Sequence, residues 1–442
     1  MFFCQKINTQ GIKIVYNANA FMWGRAGMSD KYSLTRFLNC IYGYTFFNAL
    51  LFLEPVYAVF MQAHGVSDFG ISVLLMLWSG GVLLTQLPVA HIARRFGAKN
   101  VMLFGMVIKA VAIIMWLLWP CLPVFAIGML MWGVQGAIYN VVSEDVLYDE
   151  VCARSDTMSY ERVLSRRKNI DAIGAALSSA GSLLMFFGYE WVTALSVLAM
   201  IGGMITVMRM HLIQEYSGIT NNAGAISKSI KNAVGVMCAS PSVIVMLVIT
   251  VLVTNFSYLD DYLSLIGFGI GIPVQFIGIV PFFMMLCQVL GQSYAHKFTW
   301  VRPMWLYVMI LVVGVLFAVF AMNYNAYGLV ALGVAYAICA CLKILLFARF
   351  QNMLPPRNRM EMLSFFSIAD QTSYLFMSLI IGLGATLGSW RDSIAIMAVL
   401  LVALGLWAIV FGRSRASNYC NRCTICDDVP STTIRPCGCD II

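Results

Sequence analysis

Five ionisable residues stand inside apolar stretches of this chain, and a charge in such a place needs a purpose. Glu54 and Pro55 interrupt LFLEPVYAVF (51–60), and Lys109 sits nine residues into the run that starts at 100. Asp260 and Asp261 lie side by side in NFSYLDDYLSLIG, and Lys343 in ICACLKILLF. A charge turned to lipid at the centre of a membrane span costs about 2.5–3.5 kcal/mol or more, so these groups face a cavity, a partner or an interface. A carboxylate in an apolar cavity can take up and release a proton, and an ammonium can hold an anionic group or pair with a carboxylate. For Glu54 two roles stand open: coupling to a proton or solute, or a structural carboxylate hydrogen-bonded to a neighbouring helix. Pro55 removes a backbone donor and bends the helix beside it. Neighbours on a helix point about 100° apart, so Asp260 and Asp261 do not both face one cavity. One of them faces the path, or both serve the outer interface. Lys343 lies toward the cytoplasmic end of its run, where its stem could also carry the charge to water.

These residues need membrane-spanning helices to position them. The chain has 442 residues, 61% of them hydrophobic and 11% charged, with a mean hydropathy of +0.83. Soluble domains carry about 25% charged residues, and a soluble reading leaves too little polar surface to cover the core. Apolar runs long enough to cross a bilayer fall near 36–62, 70–92, 100–119, 122–149, 168–188, 190–210, 241–266, 271–293, 301–322, 325–351, 361–388 and 389–412. This predicts an all-α membrane protein of twelve spans in two six-helix bundles, 34–210 and 241–412. A polar linker, 211–240, joins them. An extension, 1–33, precedes the first bundle and a Cys-rich tail, 413–442, follows the second. Residues 1–33 lack the continuous apolar core of a signal peptide, and Met28 offers a second plausible start. No nucleotide-binding GxxxxGK[ST], HExxH or GxSxG motif occurs, so neither an ATP-driven pump nor a recognisable enzyme is indicated.

Of the 28 Lys and Arg residues, all but Lys109, Lys343 and Arg391 fall on one side of this topology. The positive-inside rule makes that side cytoplasmic, with both termini there. The net charge of +8 is thus a topology signal, and no nucleic-acid partner is implied. The halves also repeat: ARRF (93–96) matches AHKF (295–298), and GVQGAI (133–138) matches GVAYAI (333–338). Leu164, Ser165 and Asp171 match Leu363, Ser364 and Asp370, while LEPVY (53–57) aligns with LDDYL (259–263) and sets Glu54 on Asp260. Such a duplication is how transporters with a midplane site are built. Small residues that allow close helix packing recur at Gly174, Ala175, Ser178 and Gly181, and at Gly382, Ala385 and Gly388; Gly80, Gly81, Gly278 and Gly291 add to them. Trp78, Trp116, Trp119 and Trp132 read as interface anchors or packing, with one or two free to line a cavity.

With these features the sequence resembles the major facilitator superfamily over roughly 34–412. AHIARRFGAKNV resembles the superfamily's G-x-L-A-D-R-x-G-R-[RK] loop, keeping Arg95, Gly97 and Lys99 but placing Arg94 where an aspartate is usual. SEDVLYDEV (143–151) is similar to the S-x-x-E-A-x-x-Y-D segment of bacterial members. The resemblance implies a carrier of small solutes, proton-linked or facilitative, working by alternating access in a bacterial inner membrane. The mixed acids and bases in the spans suggest a polar or zwitterionic solute, with drug-like cations also open; the proton is the expected coupling ion, the lipid bilayer the surroundings, and a monomer with no cofactor is expected. Arg94, Arg95, Glu144, Asp149, Asp171, Arg359 and Asp370 would form a cytoplasmic gate of ion pairs between the bundles, with Asp145, Arg166 and Arg167 in the same ring. The other reading of these residues is a solvated surface, where exposed pairs contribute little. A sensor that binds solute without moving it is the other reading, to which Arg94 and the tail give weight. In the tail, Cys420, Cys423, Cys426, Cys437 and Cys439 could surround a zinc ion, but the spacing is not that of paired zinc knuckles, and free thiols are the default. No metal site is expected.

Overall fold

A computed structural model describes residues 26–154, 160–213, 241–298, 300–354 and 359–420. The linker 214–240 and the tail cysteines from Cys423 onward lie outside the described residues. All regular structure among the described residues is helical. A helix bonds its own backbone N–H and C=O groups, which hydrocarbon cannot do, so apolar runs of about 20 residues fold this way.

Eleven helices among the described residues are long and apolar enough to cross a membrane. They are span two (Asp68–Phe96), three (Ala98–Leu118), four (Leu122–Arg154), five (Tyr160–Ser178, continued as a 3-10 segment Ser179–Phe186) and six (Tyr189–Arg209). The second half supplies seven (Pro241–Gly269), eight (Val274–Phe298), nine (Pro303–Met322), ten (Gly328–Met353), eleven (Arg359–Leu387) and twelve (Trp390–Cys420). Span one is cut in two, Ala26–Ala49 and Tyr57–Ala63. Its first piece begins inside the segment 1–33 that the sequence sets apart, because a helix can continue past the bilayer where polar residues reach water.

Pro55 predicts a bend; the structure has a full break over residues 50–56. Tertiary contacts make it tolerable. Leu53 N, lost to the helix ladder, donates to Ser196 Oγ of span six at 3.0 Å, and Tyr57 N resumes the ladder on the Leu53 carbonyl at 2.8 Å. Gly181 of span five meets the Phe52 carbonyl so closely that a Cβ would collide with it. Irregular backbone at membrane depth is allowed only where protein or a wet cavity surrounds it. Span seven repeats the device, its helix giving way to a 3-10 segment at Ser257–Tyr262.

Within the first half, span two packs on four, three on six, and one on five and six; in the second, nine packs on twelve and eight on ten. Trp116 is fully buried against Trp132, ring centroids 4.7 Å apart, so these two are core rather than interface anchors. Trp119 is exposed.

Candidate functional site

A cavity of about 350 Å³ lies among spans one to five of the first half, and Asp261, in the 3-10 segment of span seven, contributes to its wall from the second half. Glu54, Lys109, Asp171 and Asp261 line it, with Trp78, Trp132, Tyr57, Tyr139, Asn48, Gln135 and Asn140 among the other wall residues. Two larger hollows, about 610 and 570 Å³, are walled mainly by apolar side chains of the second half and hold none of these groups.

Each charged wall residue has distinct surroundings. Lys109, 8% exposed, donates from Nζ to the Asn48 carbonyl at 3.3 Å and stands 5.5 Å from the Trp132 ring centroid. Asn48 Oδ1 accepts from Gln135 Nε2 at 2.7 Å. Asp171 accepts from Tyr139 OH at 2.8 Å. Tyr139 and Asn140 belong to a π turn, Ile138–Val142, that interrupts span four; such turns are frequent at functional sites. Asp261 accepts from Tyr374 OH at 2.6 Å, and its carbonyl from Tyr57 OH at 3.5 Å. Among the described residues, no side chain donates to the Glu54 carboxylate. It is exposed to the cavity and lies in the electrostatic field of Lys109, Asp261 and Asp171.

Asp260 turns away from this cavity. Both its carboxylate oxygens accept from Gln288 Nε2 of span eight, at 3.1 and 2.9 Å. The sequence places the Asp pair near the outer end of span seven, but the span runs on to Gly269, so both lie well inside. Lys343 is half-buried within the field of Asp370 and Asp260, not at the interface. Asp370 accepts from Asn255 Nδ2 at 3.2 Å. Each half thus gathers two repeat-related carboxylates and one lysine, though the lysine comes from span three in one and span ten in the other.

The halves meet on the side away from the basic loops and along spans two and eleven, where Gln86 Nε2 donates to Ser367 Oγ at 3.2 Å toward the basic end. Gly278 of span eight presses on the Ser179 carbonyl of span five, where any side chain would collide, and Phe186 and Phe276 stack edge-on at 5.8 Å. Tyr262 OH donates to Ser72 Oγ at 3.1 Å, and farther along span two Ser79 Oγ donates to Gln371 Oε1 at 3.0 Å. On the basic side, spans four and five make no substantial contact with ten and eleven among the described residues.

The family model of the Major Facilitator Superfamily matches residues 33–350. The chain belongs to this superfamily. It is a transporter by family, not an enzyme. No curated protein matches it. Among solved structures it is similar to a mutant of the nucleoside transporter NupG, with a TM-score of 0.69 and 11% identity over 85% of this chain and 98% of that one. A bacterial homologue of the human lysosomal transporter Spinster, inward-facing and unoccupied, gives 0.65 and 14% identity over 88% and 98%. A D-xylose-proton symporter gives 0.62 and 13% identity over 86% and 96%.

In the superfamily's loop signature, Arg94 lies 2.8 Å from His91 Nδ1 on its own helix, Arg95 stands over Phe96, and Lys99 donates to the carbonyls of Met208 and Met210 at 2.7 and 2.9 Å. Glu144 is exposed and Asp149 half-buried at the basic end of span four. Asp171, assigned to the gate from sequence, lines the cavity instead, and the Arg359 side chain lies outside the described residues. Arg167 leaves the expected basic ring: 3% exposed, it donates to Thr45 Oγ1 at 3.1 Å and Ser143 Oγ at 2.6 Å and covers the Tyr139 ring. Sequence reasoning also passed over a buried ion pair, Glu150–Arg154 at 2.5 Å, which ties span four to the end of span six through Ile213 N and the His211 carbonyl. Its i, i+4 spacing was the signal, but that spacing usually marks a surface pair.

Proposed function

We propose that this protein is a secondary active transporter that carries a small polar solute across a bacterial inner membrane, coupled to the proton through Glu54. One observation supports this most: a carboxylate with no hydrogen-bond donor among the described residues, held by a helix break on the wall of the cavity between the halves. A charge there without a hydrogen-bond donor opposes exclusion of water when the chamber closes, whereas a protonated carboxyl does so far less. Protonation therefore biases the equilibrium between the two access states, which is what coupling requires. Asp261 contacts the solute; Lys109 balances charge within the first half, and Asp260 and Lys343 within the second. The basic side is the cytoplasmic side, with both termini on it. The contacts of Gly278 and Tyr262 close the periplasmic side, so the conformation faces inward, and the gate residues pair across the halves only when it turns outward. The units 34–210 and 241–412 rock about the cavity, joined by 211–240. A single chain contains the whole site, so a monomer suffices. The resemblance in fold to a D-xylose-proton symporter agrees with this reading.

The test is uptake into proteoliposomes holding the purified protein, driven by an imposed pH gradient. Uptake should saturate, and Glu54→Gln should abolish gradient-driven accumulation while solute exchange at equal pH persists. Accumulation unchanged in Glu54→Gln would remove Glu54 from coupling.

A further inference from the structure

We infer that the solute bears a protonated amine, which sits between Glu54 and Asp261 while its carbon body lies against Trp78 and Tyr57. This rests on the transporter reading of the cavity. The wall brings together three carboxylates, Glu54, Asp171 and Asp261, and one described cation, Lys109. Lys109 is already engaged: its ammonium is bonded to the Asn48 carbonyl and faces the Trp132 ring. Asp171 and Asp261 each receive a phenol hydrogen bond, yet a carboxylate can accept about four. Glu54 receives none from the described side chains. Asn48 and Gln135 share one hydrogen bond.

The wall carries a surplus of acids, three carboxylates to one ammonium among the described residues. An anion would meet that acid surplus unpaired. A neutral sugar or nucleoside would leave it uncompensated. An ammonium brings donors and a positive charge, and aromatic faces add cation–π attraction around it. Glu54 and Asp261 come from opposite halves and lie in each other's field, so one ammonium between them also ties the halves together. The volume of about 350 Å³ is at the small end of ligand cavities, which points to a compact amine.

Trp78 and Trp132 in the wall give an optical readout. The full-length protein in nanodiscs would be titrated to millimolar concentration with tyramine, its alcohol counterpart tyrosol, choline, D-xylose, uridine and succinate, following tryptophan fluorescence and melting temperature. Tyramine or choline should bind saturably and tyrosol should not. Glu54→Gln should weaken amine binding at least tenfold, with Asp261→Asn as a second variant should the first prove misfolded by size exclusion. Binding of xylose, uridine, tyrosol or succinate without either amine would overturn the inference, as would silence from both amines. Counterflow of labelled choline or tyramine separates this from the transporter reading. An amine bound without counterflow removes transport and leaves the solute class, while counterflow of a neutral solute alone does the reverse.

Discussion

Glu54 and Asp260 occupy equivalent places in the two halves, each nine residues before the end of its half's interrupted first span, yet they face different surroundings. Glu54 opens onto the cavity between the halves without a hydrogen-bond donor among the described residues, while Asp260 is chelated by one amide nitrogen of Gln288. The two halves supply two matched carboxylates, and packing gave a hydrogen-bond donor to one of them.

That difference predicts unequal mutants. Asp260→Asn keeps an acceptor for Gln288, so gradient-driven uptake in proteoliposomes should stay within about threefold of wild type, under 1 kcal/mol in the rate-limiting step. Equal loss in Asp260→Asn and Glu54→Gln would show that the second-half carboxylate couples as well.

The Glu150–Arg154 pair is buried on both sides, 2% and 3% exposed. Glu150→Gln removes the charge from the buried pair while Arg154 keeps the His211 carbonyl, and should destabilise the protein by about 1–3 kcal/mol, seen as a lower melting temperature in detergent. The paired replacement Glu150→Leu with Arg154→Met should recover most of the loss. A wild-type melting temperature in Glu150→Gln would mean that water reaches the pair.

Gly181 lets the broken turn of span one approach span five. Gly181→Ala should push the Phe52 carbonyl and the Glu54 turn aside, at a cost of about 1–3 kcal/mol, and lower uptake. Gly80→Ala is the control, since nothing lies within 4 Å of the added methyl. The contrast would collapse if both alanine variants behaved alike.

A Cβ added at Gly382 would fall 2.5 Å from Ser72 Cβ, so a small relaxation brings a Ser72→Cys, Gly382→Cys pair to the ~3.8 Å of a disulfide. Oxidation should lock the halves together on the side away from the basic loops and stop uptake, and a reductant should restore it. Undiminished uptake by a fully cross-linked sample, checked by thiol labelling, would exclude opening on that side.

The sequence alone determined the membrane fold and, apart from the broken first span, the count of spans; it also suggested a duplication. Runs of about 20 apolar residues admit no other satisfied backbone, and a shared ancestry leaves matched positions such as Asp171 and Asp370 in order. It also marked Glu54, because a charge beside a proline in such a run is costly enough to be conspicuous. It did not decide where each helix points its polar residues. Lipid and protein interior are both apolar, so a span carries only a weak facing signal, and small rotations decide which side chain meets the cavity. Only the tertiary structure moved Asp171 from gate to cavity wall, turned Asp260 to Gln288 and buried Arg167 against Tyr139. Asn48 and Gln135 drew no notice in sequence, since neutral amides lack the cost that makes a carboxylate stand out; their contact across 87 residues exists only once spans one and four are packed.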